Sequence, residues 1–282
     1  MINISNCNIK KIDWNECWNN NYKDAHKKGH QHKKTWNDNA KDFNLWEKHD
    51  DYPEKLVNNM ELDKNDSVLD LGSGTGSVTM KIASKVKKVI AVDNYKNMLD
   101  FLEKKANSAG IKNIEYVEAD INDISLESIG NYDVVIASRS IAGIKDVKNR
   151  FIEFDKIANK GVYFSLIGSQ PDFHIKKVSE LLNYKYKQLT SSIYAYNILF
   201  QLGIYANMIN LECNTQHQYE DIYDAYSRLD WKFKGIKDHE KDIVMDFLKE
   251  NLFENENGKL VNKLNKPDWV LIWWKKQINQ YD

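Results

Sequence analysis

"SVLDLGSGTGSVT", residues 67–79, decides the fold. Apolar β-formers surround one acid, Asp70, and three glycines then stand at alternate positions, Gly72, Gly74 and Gly76. A strand that passes through bare backbone into a helix gathers free N–H groups and a close-approach surface at one point. Outward from this turn the same rhythm repeats. Strand-like runs at 67–71, 88–92, 114–118, 133–137 and 162–167 alternate with helical stretches at 77–86, 96–108 and 146–159. The strands read VLDL, VIAV and VVIA, nearly continuously apolar, as in sheets covered on both faces. Gly110 and Gly161 fall where helix C-terminal glycines belong. Alternation at this pitch predicts an α/β fold, a doubly wound, mostly parallel sheet. Two further strand-like runs, 205–213 and 269–274 ("WVLIWW"), bring the expected sheet to seven strands.

The flanks read differently. Residues 1–62 are rich in Asn, Lys and His, yet hold Trp14, Trp18, Trp36 and Trp46. So much aromatic area predicts a helical N-terminal segment packed on the core. Trp36, Phe43 and Trp46 are candidates for a lid over the site, or for packing alone. Residues 63–282 form the main domain, with helical cap insertions expected around 170–202 and 218–252. The longest uncharged run, 189–211, carries Asn197, Gln201, Asn207 and Asn210, too polar for lipid. Three scattered cysteines, Cys7, Cys17 and Cys213, and an N-terminus without an apolar signal core point to a cytoplasmic protein with no membrane partner. Forty basic against 41 acidic residues give nucleic acid no support as a partner.

The acids around the turn are more informative. A dinucleotide fingerprint places its third glycine one residue later than here, where Ser77 stands. Asp70, two residues before the first glycine, is unwelcoming to a pyrophosphate but suits an ammonium group. Asp93 ends the second strand, 21 residues after Gly72, where a carboxylate accepts hydrogen bonds from ribose hydroxyls. Asp120, in "VEADIND", ends the third, placed for an adenine amino group with Ile121 against the ring. Helix N-capping is the other role open to both acids. Amino acid, ribose and adenine together suggest S-adenosylmethionine.

At these residues the chain resembles the class I S-adenosylmethionine-dependent methyltransferases, in the group that acts largely on small molecules. "VLDLGSGTG" is similar to the family's glycine motif, "VIAVD" with "NYKNML" to its ribose segment, "VEADIND" to its adenine segment, and "YDVVIASRS" to the strand beside the methyl donor. The resemblance implies a Rossmann-like fold and S-adenosylmethionine as cofactor. It further implies a donor site of Asp70, Gly72, Ser73, Gly74, Asp93, Asn94, Met98, Asp120, Ile121 and Ser138. The reaction implied is methyl transfer to a small-molecule acceptor, leaving S-adenosylhomocysteine. Methylation of RNA or protein, or binding of the nucleoside without transfer, are the alternatives.

Acceptor-side candidates are fewer. "SRSI" at 138–141 replaces the Asn/Asp-Pro-Pro-aromatic turn of enzymes that methylate amide or adenine nitrogens. Arg139 is a candidate partner for a substrate carboxylate or phosphate, or for a nearby acid. His174 follows the fifth strand and is a candidate base, or a capping or surface histidine. Tyr194, with Tyr196, Asn197 and Tyr205, is a candidate pocket liner, or part of a buried helix–strand unit. His26, His30 and His32 lack a clear set of partner ligands, and no metal is expected.

Overall fold

The computed structural model describes residues 12–25, 50–168, 173–184, 192–213, 218–233, 235–262 and 269–276. His26, His30, His32, Trp36, Phe43 and Trp46 lie outside them. Helix α1 spans Trp14–Ala25 and α2 spans Tyr52–Asn58. The alternating region follows: β1 Ser67–Leu71, α3 Thr79–Ala83, β2 Lys88–Asp93, α4 Lys96–Ser108, β3 Ile114–Glu118, α5 Leu126–Ile129, β4 Tyr132–Ala137, α6 Val147–Ile157 and β5 Ala158–Ile167. Then come α7 Phe173–Leu181, α8 Ser192–Gln201, β6 Asn207–Leu211, β7 Gln218–Tyr219, α9 Ile222–Lys232, α10 Lys241–Asn251, β8 Leu252–Glu254, β9 Leu260–Asn262 and β10 Trp269–Lys275.

Seven strands form one sheet in the order β3-β2-β1-β4-β5-β10-β6, parallel except for β10. Both faces are buried, as the apolar strands required. On one face Val68, Val89 and Ala91 pack with α2, α3 and α4; on the other Leu69, Leu71, Ile90 and Val92 pack with α1, α6 and α8. Trp18 of α1 is fully buried and its indole N–H donates to the Ile144 carbonyl at 2.9 Å, which ties the N-terminal helix to the core. Gly110 ends α4 at φ +69°, with Ile111 N–H donating back to Ala106 O and Gly110 N–H to Asn107 O. That pair of bonds closes the helix in the glycine-terminated manner expected from the sequence.

Several expectations are corrected. Gly161 is not a helix terminus: β5 begins at Ala158, and a Cβ at Gly161 would lie 3.0 Å from the Trp274 carbonyl of β10. The need is close strand approach. Helix α3 is shorter than expected because the glycine turn occupies the chain up to Val78. Helix α8 is not part of a cap; Ala195, Ile198 and Leu199 are buried in the main core. A second lobe is built instead from α7, α9, α10 and an antiparallel sheet β7-β9-β8, around Val178, Leu229, Val244 and Leu248. That small sheet was not foreseen, because strands of two or three residues carry no readable period. No helix among the described residues is long and apolar enough to cross a membrane.

The register shows where this lobe is attached. Trp269 at the start of β10 pairs with Ile167 and Leu211, the last residues of β5 and β6. The chain therefore leaves β5 and β6, and enters β10, at the carboxyl edge of the sheet. Ligands of open α/β sheets bind at that edge.

Candidate active site

At the carboxyl end of β1 the backbone is forced into the left-handed region three times: Gly72 at φ +79°, Gly74 at +56° and Gly76 at +81°. Only glycine adopts this region freely. Two of the three are also tightly enclosed. A Cβ on Gly72 would lie 2.4 Å from Ser140 Cβ, and one on Gly76 would lie 2.1 Å from Leu102 Cδ1. Gly72 and Ser73 N–H both donate to the Val92 carbonyl, at 2.8 and 2.9 Å, and Gly74 N–H donates to the Asp93 carboxylate at 2.9 Å. The turn is thus fastened to the end of β2.

Asp93 also accepts from Tyr95 N–H at 2.9 Å, just before α4. Burial pushes its pKa up, opposed by the N–H groups of Gly74, Tyr95 and Asn94. Asp93 is not the N-cap of α4, which is Tyr95, but its carboxylate ties the glycine turn to the residue before the helix. Asp70 is 1% exposed. Thr79 Oγ1 donates to its Oδ2 at 2.7 Å, while Oδ1 has no partner. Burial raises its pKa to about 6, against the Thr79 hydrogen bond and with a small push from Asp93. Ser73 Oγ is a second buried oxygen without a partner. Both oxygens stand at the same turn with hydrogen-bonding capacity to spare.

The far end of the edge is equally braced. Asp120 accepts Asn122 N–H at 2.7 Å, and Asn122 reaches on to the Gly143 carbonyl and to Lys145 N–H. Arg150, buried on α6, donates to the Asn122 and Ile124 carbonyls. Ile121 is half-buried against the core, Met98 of α4 is 3% exposed and Asn94 is exposed. Burial raises the pKa of the Tyr22 phenol on α1, and the Asp120 carboxylate adds to that rise.

Between these ends, Ser138 and Arg139 leave β4. Ser140 Oγ donates to the Leu71 carbonyl at 2.6 Å. The hydroxyls of Ser138 and the fully buried Tyr52 share a hydrogen bond of 2.8 Å, and Tyr52 also bonds Ser165. Arg139 pairs with Asp50 at 2.6 Å, and its guanidinium carbon lies 3.5 Å from the Tyr52 ring centre and 4.6 Å from that of Trp269. Asp50 is thus a nearby acid of the kind weighed as a partner for Arg139.

The other two acceptor-side candidates pack against aromatic rings. His174 is 4% exposed on α7, edge-on to Phe247 of α10 at 5.3 Å, so it packs within the second lobe. Tyr194 stands edge-on to Trp14 at 5.9 Å, helping seat α1 on α8, and Tyr205 is 78% exposed. Sequence reasoning missed Asp50, Tyr52, Ser165 and Trp269. They carried no sequence signal of their own, being scattered over the chain at 50, 52, 165 and 269.

A family model described as a methyltransferase domain matches residues 62–251. The chain belongs to this methyltransferase family. It is an enzyme with S-adenosylmethionine as cofactor. An uncharacterized protein of Haemophilus influenzae is 26% identical over 232 residues, covering 82% of this chain and 84% of its own. A ribosomal RNA small subunit methyltransferase A of Lachnoclostridium phytofermentans is 30% identical over 89 residues, only 30% of this chain and 31% of that one. The crystal structure of a candidate methyltransferase from Bacillus halodurans shares the fold, with a TM-score of 0.53 at 16% identity, over 79% of this methyltransferase and 98% of that chain.

The residues present fit the cofactor. Asp70 Oδ1 and Ser73 Oγ need polar partners, and a methionine end carries both an ammonium and a carboxylate. The methyltransferase's glycine turn leaves no side chain in the way of a close approach.

Proposed function

We propose that this methyltransferase acts on a small-molecule acceptor, taken up between the glycine-turn edge and the second lobe, and releases S-adenosylhomocysteine. The observation that carries this is the lobe's attachment: β5, β6 and β10 all connect to it at the edge where Asp70, Asp93 and Ser138 stand. A lobe rooted there limits the acceptor to what fits beside it. The near-zero net charge adds support, since chains that hold a long RNA usually show a basic excess or a basic stripe.

In this reading Asp70 and Ser73, with the backbone at Gly72, Gly74 and Ser138, hold the methionine end. Asp93 takes the ribose hydroxyls. Asp120 receives the adenine amino group, with Ile121 and Met98 as apolar walls and Asn94 at the solvent side. Two described parts of the N-terminal segment flank this site, Tyr22 of α1 near Asp120, and Asp50 with Tyr52 beside Ser138. When bound, the cofactor supplies a methyl group made electrophilic by its sulfonium. The protein's own part is alignment and exclusion of water. An acceptor atom that need not lose a proton needs no base. That suits an edge where Arg139 is paired with Asp50 and Asp93 accepts from three N–H groups.

The test supplies methyl-labelled S-adenosylmethionine together with three separated cell fractions: low-mass metabolites, total RNA and protein. Label transferred to the low-mass fraction is expected. Transfer to RNA or protein alone overturns the small-acceptor reading and leaves the methyltransferase intact.

A further inference from the structure

We propose that Tyr52, which lies outside every matched methyltransferase motif, is a positioning residue for the methionine end of the donor site. The proposal rests on the reading that the loop after β4 holds that end. Tyr52 is 0% exposed, on a helix far from β4 in sequence, yet its hydroxyl is shared between Ser138 at the end of β4 and Ser165 on β5. A buried hydroxyl with two partners is a fixed point, not a solvated ornament.

What it fixes is strained. Arg139, next to Ser138, sits at φ +58°, one of two non-glycine residues among the described residues in the left-handed region. Such a conformation persists only where the surroundings over-determine it, and it concentrates at functional sites. Several contacts of Arg139 lead to Tyr52. Arg139 N–H donates to Ser165 Oγ at 3.0 Å, the hydroxyl that Tyr52 holds. The Arg139 guanidinium lies over the Tyr52 ring, and Asp50, which pairs with it, also accepts Tyr52 N–H at 3.0 Å.

The consequence reaches the glycine turn. Directly after Arg139, Ser140 bonds the Leu71 carbonyl and fills the space a Cβ on Gly72 would take. A shift of the Ser138–Ser140 loop therefore moves the wall against which Gly72 is packed. Asp93 keeps the Tyr95 N–H bond and Asp120 the Asn122 N–H bond, neither of which passes through this loop. The effect of losing the Tyr52 hydroxyl is thus confined to one end of the ligand.

The test uses the full chain and two probes: S-adenosylhomocysteine, and 5′-methylthioadenosine, which keeps the nucleoside but lacks the amino-acid end. Tyr52→Phe keeps the ring and removes the hydroxyl. About tenfold weaker binding of S-adenosylhomocysteine is expected, the weight of one hydrogen bond, with methylthioadenosine within about twofold of the wild type. Ser165→Ala, which takes away the other partner, gives the same selective loss. Equal losses for both probes would mean general destabilisation, and no loss for either would mean an idle hydroxyl. Each result overturns the proposal. A wild-type chain that binds neither probe overturns the donor-site reading itself, and this assignment with it.

Discussion

Replacing Gly72 by alanine separates two costs that the glycine turn combines, and Gly110 supplies the comparison. Both glycines have positive φ, +79° and +69°. An L-residue there costs about 1–2 kcal/mol. Gly110 has open space where a Cβ would go, so Gly110→Ala incurs that strain alone. At Gly72 the new Cβ meets Ser140 Cβ at 2.4 Å, more than 1 Å inside ordinary contact. Ser140 Cα is 3.8 Å away, so relief means moving backbone. Overpacking of this kind costs about 1–3 kcal/mol, and loss of the Ser140–Leu71 hydrogen bond adds about 1. Gly72→Ala therefore destabilises by roughly 3 kcal/mol more than Gly110→Ala. For a chain of this size that is a further fall in Tm of about 6–12 °C. Paired thermal melts of the two variants, with calorimetric titration of S-adenosylhomocysteine, check it. Gly110→Ala keeps ligand binding and Gly72→Ala loses it. Equal melting temperatures, or intact binding by Gly72→Ala, would refute the packing argument.

The pKa of Asp70 is raised to about 6 from an ordinary value near 3.8, so the folded chain binds this proton more tightly than the unfolded one. Its stabilising contribution is full below the unfolded value and is lost as pH rises through about 6. Asp70→Asn is accordingly more stable than the wild type at pH 7, by up to about 3 kcal/mol, with the gap closing towards pH 4. The same variant binds S-adenosylmethionine more weakly at pH 7, and melts plus titrations at the two pH values test both halves. Trp18→Ala removes a fully buried indole and its bond to Ile144, and lowers stability by about 3–5 kcal/mol in urea unfolding. Arg139→Met strands the Asp50 carboxylate, 15% exposed, and costs about 3 kcal/mol; adding Asp50→Asn restores more than half. A double-mutant cycle that shows no coupling would contradict the ion pair's role.

The sheet was legible because its signals are local. Nearly continuous apolar strands, glycine-ended helices and "GSGTG" each follow from a few neighbouring residues, and the observed strand order carries them as expected. Asp93 illustrates the limit. Its place at the end of β2 was readable, but not that Gly74, Asn94 and Tyr95 would all donate to it. The Tyr52, Arg139, Ser165 and Trp269 cluster was invisible for a plainer reason: its members come from four distant parts of the chain and meet only when β4, β5 and β10 align. His174 and Tyr194 show the converse. Both were singled out for their chemistry, and both are seated by apolar partners, Phe247 and Trp14, which proximity in sequence could not reveal. Helix α8 was misassigned to the cap because an apolar helix reads the same whether it covers a sheet or a ligand.

The central claim is that the turn at Gly72–Gly76, with Asp93, binds a methionine-bearing nucleoside. The most direct measurement is calorimetric titration of the wild type and Asp93→Ala with S-adenosylmethionine, S-adenosylhomocysteine and NAD. Micromolar binding of both sulfur ligands is predicted, abolished or sharply weakened in Asp93→Ala, with no heat from NAD. A folded wild type that binds neither sulfur ligand, or that binds NAD instead, would contradict it.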